Sequence, residues 1–183
     1  MTKKKPNVLI TGASSGIGEA LARHYAITGA GTLFISGRNR ERLETVKTAC
    51  ERYNVKVYAE VMDVTDRQNT AAWIKKCEEI APLNIVYANA GVATLEETPE
   101  NIYNTFNTNV IGVLNTLIPA VEIFKNRRDK HKTLVITSSI AGYHGLPSCP
   151  SYSASKACVK AYGEALRSEL RQYGIQVKIG RAS

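Results

Sequence analysis

A doubly wound parallel α/β sheet is the fold this sequence predicts, and three observations predict it. Short apolar runs suited to buried strands alternate, six times over, with longer stretches of helical pattern. The first run opens straight into a glycine-rich turn and then a helix, an order that gathers backbone N–H groups and a helix N-terminus around an anion. Neither a repeat nor a linker interrupts the alternation, so residues 1–183 read as a single domain.

Val8-Leu9-Ile10 is the first strand, and it runs into Thr11-Gly12-Ala13-Ser14-Ser15-Gly16-Ile17-Gly18 before a helical pattern begins at Glu19. Gly12 serves the tight turn, Gly16 lets backbone approach a pyrophosphate, and Gly18 permits close packing of helix on strand. Ser14, Ser15 and Ile17 of the same loop are predicted to line the anion's seat. The helix closes near Thr28-Gly29-Ala30-Gly31, and Thr32 to Ser36 forms the second strand. Gly37-Arg38-Asn39 follows it. At this strand end an acidic residue would hydrogen-bond the ribose of NAD, whereas an arginine accommodates a 2′-phosphate. No Asp or Glu stands there before Glu41, so Arg38 favours NADP(H), with NAD(H) the weaker option. The plain alternative is a solvated loop arginine.

An exposed helix from Arg40 to about Arg52 precedes a third strand, Val55 to Val61, which runs into Met62-Asp63-Val64-Thr65-Asp66. Asp63 has two readings, an acceptor for an adenine amino group or a turn aspartate; Asp66 reads as a helix cap. The helix from Arg67 to Ile80 places Trp73, Ile74 and Cys77 at core spacing. Leu83 to Ala88 is the fourth strand and ends at Asn89-Ala90-Gly91, small residues that leave room for a ligand at a strand's carboxyl end. Thr98 caps and Pro99 opens a helical pattern reaching about Lys125, predicted to bend because Gly112 and Pro119 lie inside it. Asn109, among apolar neighbours, either satisfies backbone exposed at a kink or orders a water. Leu134 to Thr137 is the fifth strand and leads to Ser138-Ser139. After a loop rich in Gly, Pro and Ser, a helix extends to about Tyr173, and Ile175 to Ile179 is the sixth strand.

Chemistry concentrates on the last helix. Tyr152 and Lys156 are four residues apart, one turn, on one face. Ser139, thirteen residues before Tyr152, ends the fifth strand. An ordinary phenol, with a pKa near ~10, exchanges protons poorly at neutral pH, but an adjacent ammonium favours the phenolate. A serine hydroxyl would bind the oxygen on which charge develops. Together these residues suit proton transfer to a carbonyl or from an alcohol.

Composition excludes other classes. Hydrophobic content of 44% supports a sizeable core, yet no apolar run approaches the roughly 18 residues of a membrane span. The opening Met1 to Lys5 leads into a Gly/Ser loop and not a signal-peptide core, so a cytoplasmic protein is expected. Cys50, Cys77, Cys149 and Cys158 have neither metal-like nor disulfide-like spacing, so no metal site is expected. The net charge of +8 gathers at Lys3 to Lys5 and at Arg127, Arg128, Lys130 and Lys132. Without interleaved aromatics this reads as a solvated face and not a nucleic-acid surface, though a positive field would attract an anionic dinucleotide.

In combination these motifs closely resemble the short-chain dehydrogenase/reductase family. The likeness rests on T-G-x-x-x-G-x-G at 11–18, Asp63, N-A-G at 89–91, Asn109 in N-x-x-G, Ser139 and Tyr152-x-x-x-Lys156, and it extends over nearly the whole chain. The resemblance implies a Rossmann fold of strand order 3-2-1-4-5-6 and hydride transfer between NADP(H) and a small carbonyl or alcohol substrate, in the direction of a carbonyl reductase. It implies that Tyr152 is the acid/base, that Lys156 assists it and holds the nicotinamide ribose, that Ser139 binds the substrate oxygen, and that Asn109 holds a relay water. Gly12, Ser14, Ser15, Gly16, Ile17, Gly18, Arg38, Asp63, Val64, Asn89, Ala90 and Gly91 would line the cofactor. A homodimer or homotetramer is implied, through the long helices after Thr98 and around Tyr152. Two departures stand out. The family's N-N-A-G is Ala88-Asn89-Ala90-Gly91 here, and Ile179-Gly180-Arg181 replaces the Pro-Gly turn that precedes a lid and a seventh strand. The expectation is a sheet without its seventh strand, an exposed sixth strand and a pocket short of one wall. The alternative function is a catalytically impaired nucleotide-binding protein, or one whose site a partner completes.

Overall fold

The structure, a computed structural model, describes residues 5–129 and 131–182. Lys3, Lys4 and Lys130 of the basic clusters lie outside the described residues. Six strands form one sheet: β1 (Asn7–Thr11), β2 (Thr32–Gly37), β3 (Lys56–Val61), β4 (Ile85–Ala88), β5 (Lys132–Ser139) and β6 (Ile175–Ala182). Every pairing is parallel, as the alternation of strands and helices predicts, in the order β3-β2-β1-β4-β5-β6 that the family resemblance implies. Between the strands run α1 (Gly16–Thr28), α2 (Arg40–Glu51), α3 (Arg67–Ile80), α4 (Pro99–Phe106), α5 (Gly112–Lys125) and α6 (Pro150–Leu170).

The central strand shows why both faces must be covered. Val8, Leu9 and Ile10 are all fully buried, and successive side chains of a strand point to opposite faces. Val8 and Ile10 enter a core with Ala22 and Ala26 of α1 and Leu43 and Val46 of α2. Leu9 enters the opposite core, with Trp73 and Ile74 of α3, Leu117 and Phe124 of α5, and Val159 and Leu170 of α6. A parallel sheet buried on both sides explains continuous apolar strands. Trp73 is the core residue that its helical spacing predicts, with its ring edge-on to Phe34.

Helix starts follow local chemistry. The side chains of Asn39, Asp66 and Thr98 each accept a backbone N–H three residues on and so cap α2, α3 and α4. The stretch from Pro99 to Lys125 departs from its expected form. Pro119 sits inside α5, and the regular α-helix is interrupted earlier, by a π-helical segment at Asn107–Ile111. Such a segment carries an extra residue in the turn, and here it holds Thr108 and Asn109 in the buried interior.

The order of the sheet reverses between β1, which pairs with β2, and β4, which pairs with β1 on its other side. In open α/β sheets a ligand crevice forms outside the carboxyl ends of the strands at this reversal.

Candidate active site

A cleft of about 410 Å³ opens there. One wall is the turn after β1. Gly12 has φ +68°, and a Cβ on it would stand 2.6 Å from the Ala90 Cα, so the turn and the end of β4 meet only because this residue has no side chain. Gly16, φ +56°, faces open space. A side chain there would occupy the room a bound anion needs. Beneath the turn, a Cβ on Gly18 would collide with the Gly12 carbonyl oxygen and stand 2.7 Å from Asn89 Nδ2. Ser15 is the N-cap of α1 but makes no side-chain cap bond, unlike the caps of α2 to α4. The leading N–H groups of α1 are thus left facing the cleft, where an anion is favoured.

Asn89 braces this wall. Its Nδ2 donates to the Thr11 carbonyl at 3.0 Å, and its Oδ1 accepts from Thr137 Oγ1 at 3.0 Å. Its side chain therefore ties the ends of β1, β4 and β5 together.

Tyr152 and Lys156 form the opposite wall. Lys156 is 4% exposed, and its Nζ donates to the Thr137 carbonyl at 3.0 Å. The ammonium lies 5.6 Å from the centroid of the Tyr152 ring. Burial pulls the Lys156 pKa down from 10.5 to about 8. Gly91 allows this packing, since a Cβ there would stand 3.3 Å from Lys156 Nζ and 3.1 Å from Asn109 Oδ1.

Asn109 is fully buried. Its Oδ1 accepts from Val92 N at 2.7 Å, while Nδ2 donates to the Val92 carbonyl at 2.9 Å and to Ser155 Oγ at 3.0 Å. The side chain therefore satisfies backbone, but that of Val92 and not that of a kink in its own helix. It clamps the segment after Gly91, and Ser155 in turn donates to the Tyr152 carbonyl. The far end of that segment is clamped too: Glu97 Oε1 accepts from Ser151 N at 3.1 Å and Ser151 Oγ at 2.7 Å. Both clamps reach α6 within three residues of Tyr152.

Most of the predicted residues converge. Gly12, Ser14, Ser15, Gly16, Ile17, Arg38, Asp63, Val64, Asn89, Ala90, Gly91, Tyr152 and Lys156 all line the cleft. Gly18, Asn109 and Ser139 do not line it; the first two support the walls from behind. Ser139 ends β5, 7% exposed, and its Oγ accepts from Ala141 N at 3.2 Å. Ser138 lines the cleft instead, with its Oγ donated to the Lys156 carbonyl. Asp63 makes the turn that its second reading describes, with Oδ1 accepting from Thr65 N and Oγ1. Its other oxygen lies 3.8 Å from Arg38 Nη1. Sequence reasoning missed Thr137, whose carbonyl and hydroxyl serve Lys156 and Asn89, and it missed Arg42, which lines the cleft beside Arg38. A crowd of arginines at 38, 40 and 42 was the available signal.

Among the described residues no cluster of His, Cys, Asp or Glu could hold a metal, and no helix is long and apolar enough to cross a membrane. Cys50, Cys77 and Cys149 are buried free thiols, and Cys158 is an exposed one.

The sequence matches the family described as short chain dehydrogenase over residues 6–180. The chain belongs to that family of oxidoreductases. An uncharacterized oxidoreductase of Myxococcus xanthus is 36% identical over 174 residues, which cover 92% of this chain and 68% of the relative. A short chain dehydrogenase of Mycobacterium smegmatis superposes with a TM-score of 0.89 at 26% identity, covering 98% of this chain and 77% of that one. A short chain dehydrogenase/reductase of Burkholderia phymatum, solved in complex with NAD, superposes at 0.88 with 25% identity, covering 99% of this chain and 66% of that one.

Proposed function

We propose that the chain binds NADP(H) in this cleft and reduces a small carbonyl compound to an alcohol, with Tyr152 as the proton donor. The observation that carries the reading is a buried ammonium, Lys156, held on the Thr137 carbonyl and set beside the Tyr152 ring in the cleft wall. The cleft suits a dinucleotide, because the Gly12–Gly16 turn leaves an unfilled cradle before the uncapped α1. The NAD held by the Burkholderia phymatum relative supports the same class of ligand.

When bound, NADPH supplies a hydride to the carbonyl carbon. The chain's own residues handle the proton and the charge. The Tyr152 hydroxyl gives its proton to the carbonyl oxygen as that oxygen gains charge, and the Lys156 ammonium lies 5.6 Å from the centroid of the ring that loses it. Ser139, at the end of β5, is proposed as the hydroxyl that orients the substrate oxygen. Asn109 holds the segment after Gly91 and so fixes the part of the cleft wall that Val92 supplies. Arg38, at the far end, is proposed to read the 2′-phosphate. Self-association through α4, α5 and α6 is also proposed; it is supported by Tyr103 and Ile118, which are 73% and 43% exposed, and is tested by light scattering.

The decisive assay is NADPH oxidation with a panel of ketones and aldehydes, comparing wild type with Tyr152→Phe. Turnover that the substitution removes supports the reading. A wild type no faster than Tyr152→Phe across the panel, while still binding NADPH, would leave a nucleotide-binding protein without this chemistry.

A further inference from the structure

The helix that carries Tyr152 and Lys156 begins without a cap of its own. At α2, α3 and α4 the residue before the helix turns its side chain back onto a backbone N–H, but Cys149, before α6, makes no such bond. Pro150, the first helical residue, has no N–H to offer, and the Ser153 N–H is taken by the Cys149 carbonyl. The donors of Ser151 are answered from elsewhere. Glu97 Oε1 accepts from Ser151 N at 3.1 Å and from Ser151 Oγ at 2.7 Å, across 54 residues of chain. A carboxylate at a helix N-terminus meets both the unpaired N–H groups and the positive end of the dipole. Glu97 therefore caps α6 from outside it.

Glu97 is itself held in place. Asn101, in the first turn of α4, grips the residues on either side: its Nδ2 donates to the Glu96 carbonyl at 2.9 Å and its backbone N–H to Thr98 Oγ1 at 3.2 Å. Ser151 is 5% exposed, so its bonds with Glu97 are shielded from water and stronger for it. Leu146 N also donates to Ser153 Oγ at 3.0 Å, but from the loop leading straight into α6 and not from another element. One turn further along, Lys156 is fixed by β5, through the Thr137 carbonyl on its Nζ and Ser138 Oγ on its own carbonyl. The two members of the pair thus hang on different supports, the lysine on the sheet and the turn bearing the tyrosine on Glu97.

We propose that Glu97 is a positioning residue for the proton transfer: by capping α6 through Ser151 it sets the Tyr152 hydroxyl in register with the Lys156 ammonium. The assignment rests on the reading of Tyr152 as the proton donor. Reach matters here before charge. A glutamine keeps an acceptor oxygen at the same distance and serves in place of Glu97, whereas an aspartate keeps the charge but falls one methylene short.

The test combines turnover with nuclear magnetic resonance of protein isotopically labelled at tyrosine Cζ, the Tyr152 signal being the one that Tyr152→Phe removes. Glu97→Ala and Glu97→Asp are expected to lower kcat roughly tenfold with KM within about twofold of wild type, and to shift or broaden the Tyr152 signal. Glu97→Gln is expected to restore both. Asp66→Ala is the control for lost stability alone, since it uncaps α3 and does not line the cleft; kcat and the Tyr152 signal are expected to stay as in wild type. A Glu97→Ala protein that matches Asp66→Ala in both readouts overturns the assignment, as does a Glu97→Asp protein that works where Glu97→Gln fails. A wild type no faster than Tyr152→Phe across the carbonyl panel overturns the proton-donor reading instead. That failure appears in the unsubstituted protein, and the Tyr152 signal of the Glu97 variants still decides whether Glu97 sets the phenol.

Discussion

Replacing Lys156 with methionine is expected to make the protein more stable at neutral pH. A methionine keeps most of the apolar stem and removes the buried charge. Burial lowers the pKa of this lysine from 10.5 to about 8, so below pH 8 the folded state carries an ammonium that the unfolded state solvates better. At about 1.4 kcal/mol per pKa unit this costs the native state about 3 kcal/mol. The substitution also deletes the bond to the Thr137 carbonyl, a loss of about 1 kcal/mol. The net gain of about 2 kcal/mol corresponds to a rise in Tm of roughly 4–8 °C for a chain of this size. The sign of the pH dependence follows from the depressed value. Between pH 8 and 10.5 the unfolded lysine holds its proton while the folded one sheds it, so wild-type stability rises relative to the variant and the gap closes. Urea unfolding of both proteins at intervals from pH 7 to 10.5, followed by circular dichroism, measures this difference directly, because groups common to both cancel. A variant less stable than wild type at pH 7, or a difference that does not change with pH, would refute the reasoning. The same substitution should abolish Tyr152-dependent turnover, a trade of function against stability at one residue.

Gly18→Ala should cost roughly 2 kcal/mol, because the new methyl group strikes the Gly12 carbonyl and the Asn89 amide; urea unfolding and dinucleotide titration should show lower stability and weaker binding together. Asn109→Ala removes three side-chain bonds from a fully buried position and strands both polar groups of Val92. A loss of roughly 2–4 kcal/mol is expected, and an unfolding midpoint close to wild type would show that the clamp is dispensable. Asp66→Ala removes the acceptor that caps α3; roughly 1 kcal/mol of destabilisation is expected, and chemical denaturation at constant m-value checks it.

What could be read from the sequence was local. The glycine turn and the caps at Asp66 and Thr98 depend on neighbours a few residues away, and each formed where its pattern placed it. The missed features depend on distance or on phase. Asn109 acts on Val92, seventeen residues earlier, and no periodicity reports that clamp. The fifth strand is expected to stop at Thr137 but continues to Ser139, and the added length holds Ser138 where its hydroxyl donates to the Lys156 carbonyl, a tertiary contact that the local pattern does not report. Arg42 escaped notice because its place in the cleft lining depends on how α2 is turned against the first glycine loop, a tertiary relation. Pro119 and Gly112 marked a long helix as irregular, but the irregularity itself sits at Asn107–Ile111, where the buried polar side chains are.

The doubly clamped run from Val92 to Glu97 has a mechanical consequence. It is bolted through Asn109 and Ser155 at one end and through Ser151 at the other, and the residues it grips on α6 bracket Tyr152. If the bolts hold, this run cannot swing outward without dragging the first turn of that helix along. A ligand pressing on Val92 or Ala93 therefore pushes on the phenol's own mounting.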